Sequence, residues 1–430
     1  MQISLNTSTR KRVVAGVALL LAAVYLALCG SLFVAWWFGR RPELTSLQRA
    51  VRFDSGDADY HNHLGRYYEL AARDPATAVK HYSAAVALNP HSARFWFDLA
   101  SAYQVLGDTA NQAMAQARAL AAGPTSPDVA WEAANLYLVQ GENEKALREF
   151  RIVLDNDNSL TAAAVQFCWR IKPDIDVLLN DVVPPRSEAY LALLDLLAAK
   201  QQKDAASDPE LSQRELAATE KVWSALIQSN QPFEKRHAWE YFSYLIREKD
   251  VDEAVLVWRQ AVARFGLASY LPSSANLVVN SHFTLAVLNA GLDWRYQKQP
   301  GVEVTLDRKE GYEGSPSVQI NFDGPGIDDA GIVQLVPVQP GATYDFSAYY
   351  KTTDLQGAGG PHLTIQDMYD PKLIYYDSDE MKDADYWQPV EGEFTAGADC
   401  KLVVLHVRRL PAGSPIRGKL WVDDFRLTRK

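Results

Sequence analysis

The chain has 430 residues, with 43 lysines and arginines against 53 aspartates and glutamates, giving a formal net charge of −10. No basic stripe is present, which argues against a nucleic-acid partner. Three cysteines, Cys29, Cys168 and Cys400, make no disulfide framework and offer no C-x-x-C metal spacing.

The first element is Val13 to Phe38, an uncharged apolar run of 26 positions between Arg10-Lys11-Arg12 and Arg40-Arg41. About 20 such residues in a helix cross a hydrocarbon core about 30 Å thick. The run predicts a transmembrane helix over 13–38 after a cytoplasmic arm, 1–12. A cleaved signal has an apolar core of about 7–15 residues ending in small side chains, whereas Leu32 to Phe38 carries the run onward. Cys29 follows a hydrophobic stretch as in a lipoprotein signal, but bulky Leu28 stands where a small residue is normal. Three basic residues precede the span and two follow it, a small bias towards a cytoplasmic N-terminus. The short N-terminal arm favours export of the remainder.

The next stretch is internally repetitive. Tyr68, Tyr103 and Tyr137 recur at intervals of 35 and 34, and Ala78, Ala113 and Ala146 at 35 and 33. Around them stand Leu64-Gly65-x-x-Tyr68 and Ala78-x3-Tyr82-x-x-Ala85, then Trp96-x-x-Leu99-x3-Tyr103 with Gly107, then Gly141 with Ala146-x3-Phe150. Small alanines let two helices approach, aromatic and leucine side chains fill the gap, and the glycines permit the turn. This pattern resembles the tetratricopeptide (TPR) repeat, a helix-turn-helix unit of 34 residues. The first two units each carry one extra residue before the second helix, and the third lacks a closing proline. Beyond residue 160 the pattern degrades, then returns at Trp239 and Ala254-x3-Trp258-x-x-Ala261. Residues 43–270 are expected to form a TPR-like α-solenoid of five or six helical pairs. Each pair buries its apolar face only against a neighbour, and the resemblance implies a protein partner in the groove.

Near Pro272 alanine-rich helix gives way to alternating segments with Gly/Pro turns. Strands are predicted at 317–322, 332–338, 344–350, 362–368, 387–394, 401–408 and 419–427, a rhythm that indicates an antiparallel sandwich. Asn280-x-x-Phe283, Val336-Pro337-Val338-x-Pro340-Gly341-x-x-Tyr344 and Gly418-x-x-Trp421-Val422-Asp423-Asp424-Phe425-x-Leu427 resemble the jelly-roll, galactose-binding-like domains that include carbohydrate-binding modules, over 276–430. Alternation puts Trp421, Asp423, Phe425 and Leu427 on one face, where a carboxylate needs a cation or several hydrogen bonds. The resemblance makes Asp423 a candidate ligand of a structural calcium, but Thr284 stands where those modules commonly place a glutamate. The other reading is a pairing of Asp423 with backbone amides or a buried basic group. For a glycan, Tyr375, Tyr376 and Trp387 are the candidates, as loop aromatics bracketing an acidic stretch on which sugar faces can stack.

No G-x-S-x-G, H-E-x-x-H, phosphate loop or dinucleotide fingerprint appears, and no catalytic residue is assigned. Glu391 and Glu393 share a strand face about 7 Å apart, as surface acids routinely do. The fold class is therefore multidomain: a single transmembrane helix, an all-α TPR-like solenoid and an all-β jelly-roll sandwich. The arrangement looks like bacterial envelope proteins, some of them associated with surface polysaccharide production. It implies a non-enzymatic scaffold in the inner membrane with its bulk periplasmic, a protein partner on the repeats and a polysaccharide on the sandwich. The alternatives are a carbohydrate-active enzyme with an unrecognised site, and an assembly protein without ligand.

Overall fold

The computed structural model describes residues 7–409 and 413–430. They form two compact units, 1–231 and 232–430. The described residues of the first unit form helices and the turns between them. Its helices are α1 (Ser8–Gly39), α2 (Leu44–Phe53), α3 (Ala58–Arg66), α4 (Pro75–Leu88), α5 (Ala93–Leu106) and α6 (Thr109–Ala122). They continue as α7 (Pro127–Val139), α8 (Asn143–Asn156), α9 (Thr161–Ile171), the single turn α10 (Ile175–Val177), α11 (Ser187–Asp204) and α12 (Pro209–Ser229).

Most of α1 is exposed apolar surface. Its C-terminal end is different. Ala35 and Gly39 are buried, and a Cβ on Gly39 would lie 2.3 Å from the Tyr60 ring. Ser31 Oγ donates to the Phe53 carbonyl at 2.9 Å. Small residues at 31, 35 and 39 thus make one face of α1 the wall against which α2 and α3 pack, since positions four apart share a helix face. The apolar helix is consequently the first helix of the array, joined to it without a linker.

The hairpins α3–α4, α5–α6 and α7–α8 repeat with a period that the sequence obscured. Asp74 and Asp108 each cap a second helix through a side-chain hydrogen bond to the third amide, at Thr77 and Asn111. Glu142 occupies the same position, and the three lie 34 residues apart. On this register Ala78 aligns with Gln112 and Ala146, all buried, whereas Ala113 is exposed. The expected alanine correspondence at 113 is thereby corrected by one residue. Only the first hairpin carries an extra residue, taken up by a π-helical turn at Tyr67–Ala71. Gly107 and Gly141 turn the chain at φ 73° and 75°, where a side chain would be strained. Gly65 lies beneath Tyr82, whose ring would be 2.5 Å from an added Cβ.

The second unit opens with a helical hairpin, α13 (Lys235–Arg247) and α14 (Val251–Arg264). Although the sequence assigns it to the solenoid, it lies in the same compact unit as the sandwich. Trp258 Nε1 donates to the Tyr270 carbonyl at 3.0 Å, Tyr369 Oη donates to the Ile246 carbonyl at 2.8 Å, and Lys401 pairs with Asp252. Gly291, at φ 61°, sits directly on the Trp258 ring.

Ten strands follow: β1 (Arg295–Tyr296), β2 (Val302–Asp307), β3 (Ser317–Gly324), β4 (Asp329–Pro337), β5 (Thr343–Gly357), β6 (Pro361–Asp367), β7 (Ile374–Asp377), β8 (Gln388–Thr395), β9 (Leu402–Arg409) and β10 (Ile416–Arg429). They form two antiparallel five-stranded sheets, ordered β1-β4-β9-β6-β7 and β2-β3-β10-β5-β8. Between them lies one core that includes Trp294, Phe283, Phe346, Leu405 and Phe425. The seven predicted strands are all present, while the short β1, β2 and β7 were not foreseen. Tyr375 and Tyr376, expected in a loop, lie in β7, an edge strand.

One face assignment is overturned. The pairing of β10 with β5 shifts register between Asp423 and Arg426, and Asp424 has φ 49°. Such a bulge adds a residue and reverses the alternation. Leu420 and Val422 before it and Phe425 and Leu427 after it enter the core. Trp421 and Asp423 therefore face the opposite side from Phe425 and Leu427.

Candidate functional site

The outer face of the β2-β3-β10-β5-β8 sheet carries the site. Along β5, Tyr344, Phe346 and Ala348 enter the core, so Asp345, Ser347 and Tyr349 point outward. Register then sets their neighbours. Tyr349 lies opposite Pro389 and Asp423, Ser347 opposite Glu391 and Arg426, and Asp345 opposite Glu393 and Thr428. Asp345, Ser347, Glu391, Glu393, Arg426 and Thr428 line a depression of about 450 Å³. Lys430 closes one end through ion pairs to Asp345 and Glu393.

The other end is aromatic. Tyr312 stacks on Tyr349 with ring centroids 3.6 Å apart and planes 12° from parallel. Trp387 meets the Tyr312 ring edge-on at 6.2 Å, and the adjacent Tyr386 is 81% exposed. A hydrogen bond to the Tyr349 phenol, with burial and nearby acids adding to it, pushes the Tyr312 phenol up to about 12. It is thus a neutral hydroxyl at neutral pH.

Asp423 holds this platform in position. It is fully buried, and its Oδ2 accepts from the Tyr312 amide at 2.8 Å and from Ser315 Oγ at 2.6 Å. Its Oδ1 accepts from the Asp424 amide at 2.7 Å. Burial raises its pKa, while these hydrogen bonds pull it back down. The carboxylate pins the turn Tyr312–Gly314 onto the sheet. A calcium cradle needs converging oxygen acceptors, whereas the groups converging on Asp423 are donors. Asp424 is instead paired with His282 at 3.4 Å, and among the described residues no group of three or more His, Cys, Asp or Glu is gathered as a metal site. The residues at Asp423 do not fit a calcium ion.

The three predicted glycan aromatics separate. Tyr375 Oη donates to Asp367 at 3.2 Å, and its ring packs near Phe394 at 6.0 Å. Tyr376 lies over Gly392, where a Cβ would come within 2.0 Å of its ring, and donates to the Glu391 carbonyl at 3.2 Å. Both are partly buried against the core. Trp387 alone joins the platform, with Tyr312 and Tyr349. Alternation groups Asp345, Ser347 and Tyr349 on one face, and Phe346 and Ala348 in the core make it the outward one. Tyr312 had no such signal, because it reaches the sheet through Asp423, 111 positions away.

The helical unit presents a different surface. Counted from the start of each hairpin, Leu70, Val105 and Val139 are equivalent positions, and they are 69%, 64% and 71% exposed. Isolated exposed aliphatics are ordinary, but three at one repeat position form a row.

Residues 275–411 match the family model described as a carbohydrate binding domain. No curated protein matches the chain. Among solved structures, one described as "CBM4 structure and function" is similar at 17% identity and TM-score 0.28, covering 36% of this chain and 99% of its own. The helical region is similar to MamA, at 18% identity and TM-score 0.23 over 42% of this chain and 86% of that one. It is also similar to PilF of Pseudomonas aeruginosa, at 14% identity and TM-score 0.26 over 56% and 92%. The chain carries a C-terminal domain of the carbohydrate-binding type, built as a β sandwich, behind TPR-like helical hairpins and one long apolar helix.

Proposed function

We propose that this chain is a membrane-anchored, non-enzymatic scaffold that holds a glycan on its sandwich and a protein on its hairpins. The observation that carries the reading is the aromatic platform of Tyr312, Tyr349 and Trp387 running into the polar depression around Ser347, Glu391 and Arg426. A sugar presents C–H groups to a flat ring and hydroxyls to hydrogen-bonding groups. Tyrosine hydroxyls, carboxylates, a serine and a guanidinium supply both donors and acceptors, and the match to a carbohydrate binding domain agrees with that chemistry. The row Leu70, Val105, Val139 is the surface for the protein partner.

Anchorage is supported by α1 itself. Removing it as a signal would strip away the face of Ser31, Ala35 and Gly39 that α2 and α3 pack against. On this reading the protein stays in a bacterial inner membrane as a single-pass protein with its bulk in the periplasm, and surface polysaccharide is the natural ligand class.

The test is affinity electrophoresis of the detergent-solubilised full chain through gels containing xylan, mixed-linkage β-glucan or laminarin. At least one should retard the wild type, and Trp387→Ala and Tyr349→Ala should abolish the retardation. Equal retardation of wild type and both variants overturns the assigned face. Release of reducing ends from a retarding polysaccharide overturns the non-enzymatic reading.

A further inference from the structure

A cavity of about 610 Å³ opens where α1 leaves the apolar run, in the first helical unit. Its charged lining is wholly basic, Arg40, Arg41 and Arg66, with His63 beside them. Leu47, Tyr67 and Leu70 supply an apolar side. No carboxylate lines it, in a chain whose formal charge is −10. Among the described residues none of the three arginines is in an ion pair. Arg66 acts on Asp98 only through its field, and Arg40 and Arg41 lie over indole rings, at 4.2 Å from Trp36 and 5.3 Å from Trp37.

Height along α1 indicates what the cavity faces. At about 1.5 Å per residue, Trp36 and Trp37 stand about 35 Å beyond Val13. A hydrocarbon core is about 30 Å thick, and the headgroup layer adds roughly 5–7 Å on each side. The two guanidiniums fold back over the indoles and so reach that layer. The chain agrees on the other side of α1: α2 returns toward the bilayer, and Phe53, at the level of Ser31, is exposed at about the hydrocarbon edge. A second observation is independent of charge. The one residue that breaks the hairpin period is absorbed in the π-turn Tyr67–Ala71, and that turn supplies Tyr67, Leu70 and Ala71 to the cavity wall. Turns of this kind concentrate at functional sites.

We propose that this cavity binds the phosphate-bearing headgroup of an anionic phospholipid from the bilayer that α1 crosses. Arg40, Arg41 and Arg66 hold the phosphate, and Leu47 and Tyr67 cover the glycerol and the first acyl carbons. The proposal rests on reading α1 as a retained membrane span. A basic side chain near an anionic lipid surface strengthens attachment about fivefold, and Arg adds paired N–H donors matched to phosphate.

The experiment uses the full chain in an uncharged detergent, titrated with dioctanoyl phosphatidylglycerol, dioctanoyl phosphatidylcholine or inorganic phosphate, with bound species counted by native mass spectrometry. The glycerol lipid should bind at least tenfold more tightly than the choline lipid. Arg66→Gln should weaken it about fivefold, Arg40→Gln with Arg41→Gln about 25-fold, and Arg66→Lys should retain most of the binding. Cys168, buried in the same unit, must stay unreactive in each variant. If Arg66→Gln exposes it, the comparison passes to Arg66→Lys and the Arg40/Arg41 pair. Equal binding of both lipids, indifference to the arginines, or inorganic phosphate displacing the lipid at equal concentration overturns the proposal. Carbonate extraction of membranes separates the two readings. Release of the wild type refutes the span, whereas retention without phosphatidylglycerol preference refutes only the lipid site.

Discussion

Asp293 offers a quantitative test of the second unit. The residue is fully buried beside Trp294, and its Oδ2 accepts from the Leu288 amide at 2.6 Å. Burial dominates and pushes its pKa up to about 6 from 3.8, against hydrogen bonds from Leu288, Trp294 and Asn280. A carboxyl with a raised folded pKa binds its proton more tightly in the folded state. Its contribution is therefore fully present below about pH 3.8 and is lost as pH rises through about 6. The whole window is worth about 3 kcal/mol, at about 1.4 kcal/mol per pKa unit. Between pH 5 and 7 the loss is about 1 kcal/mol, because protonation at pH 5 is already nearly complete in the folded state alone. Other groups titrate over the same interval, so the quantity that isolates this carboxyl is wild type minus Asp293→Asn. Cys400 is buried in the sandwich and Cys168 in the helical unit, so urea-dependent reaction with dithiodipyridine, with Cys29 replaced by serine, reads each unit separately. The Cys400 transition of the wild type should weaken from pH 5 to pH 7 by about 1 kcal/mol more than that of the variant, with the Cys168 transition unchanged. Parallel pH curves for wild type and variant would refute the reasoning.

Further outcomes follow from single contacts. Gly291→Ala puts a Cβ 1.8 Å from the Trp258 ring at φ 61°; it should cost the second unit about 2–4 kcal/mol and advance Cys400 exposure without moving Cys168. Asp423→Ala strands three donors at about 1–3 kcal/mol each for groups that stay buried. It should open the 308–316 segment to protease and weaken polysaccharide retardation. Gly39→Leu drives into Tyr60 and should detach α1 from α2 and α3, seen as protease cleavage near residue 42 while the later hairpins persist. EDTA should leave Cys400 protection unaltered, and a loss reversed by added calcium would reinstate a cation at Asp423.

Much of the fold was legible because it is written in short-range periodicity. An uncharged run of 26 residues is a local property. So are the strands of the sandwich, whose alternation is written in neighbouring residues, although the outward side of Tyr349 and Ser347 follows only once Phe346 and Ala348 are seen in the core. The repeat was also visible, but aligning it on alanine 113 misplaced the period. The N-cap positions Asp74, Asp108 and Glu142 keep it strictly, the first two through side-chain caps, because a cap is fixed to the helix start, whereas a small core residue can be exchanged for Gln112 if the neighbours adjust. The π-turn shows the same logic from the other side. An insertion inside a helix leaves the caps that follow it in phase with one another and appears in the sequence as an interval of 35 across it, as from Asp57 to Ser92.

The site was less legible, because its grouping is set across strands rather than along them. Tyr375, Tyr376 and Trp387 are close in sequence, yet pairing of β6 with β7 turns the first two towards the core, while Trp387 precedes β8 and lies beside β5. The bulge at Asp424 compounds this. Alternation from Leu420 and Val422 turns Asp423 outward, where the Tyr312 turn needs an acceptor, and the extra residue in β10 returns Phe425 and Leu427 to the core. A buried acid on that side is costly unless its hydrogen bonds are met, and two of the three donors that meet them come from a turn more than a hundred residues earlier. The bulge, the buried carboxylate and the stacked tyrosines are thus one device. If it exists to present rings to a sugar, loosening the Tyr312 turn through Ser315→Ala should weaken glycan retention more than it weakens the sandwich. A loss of fold in step with binding would mean that the device serves stability alone.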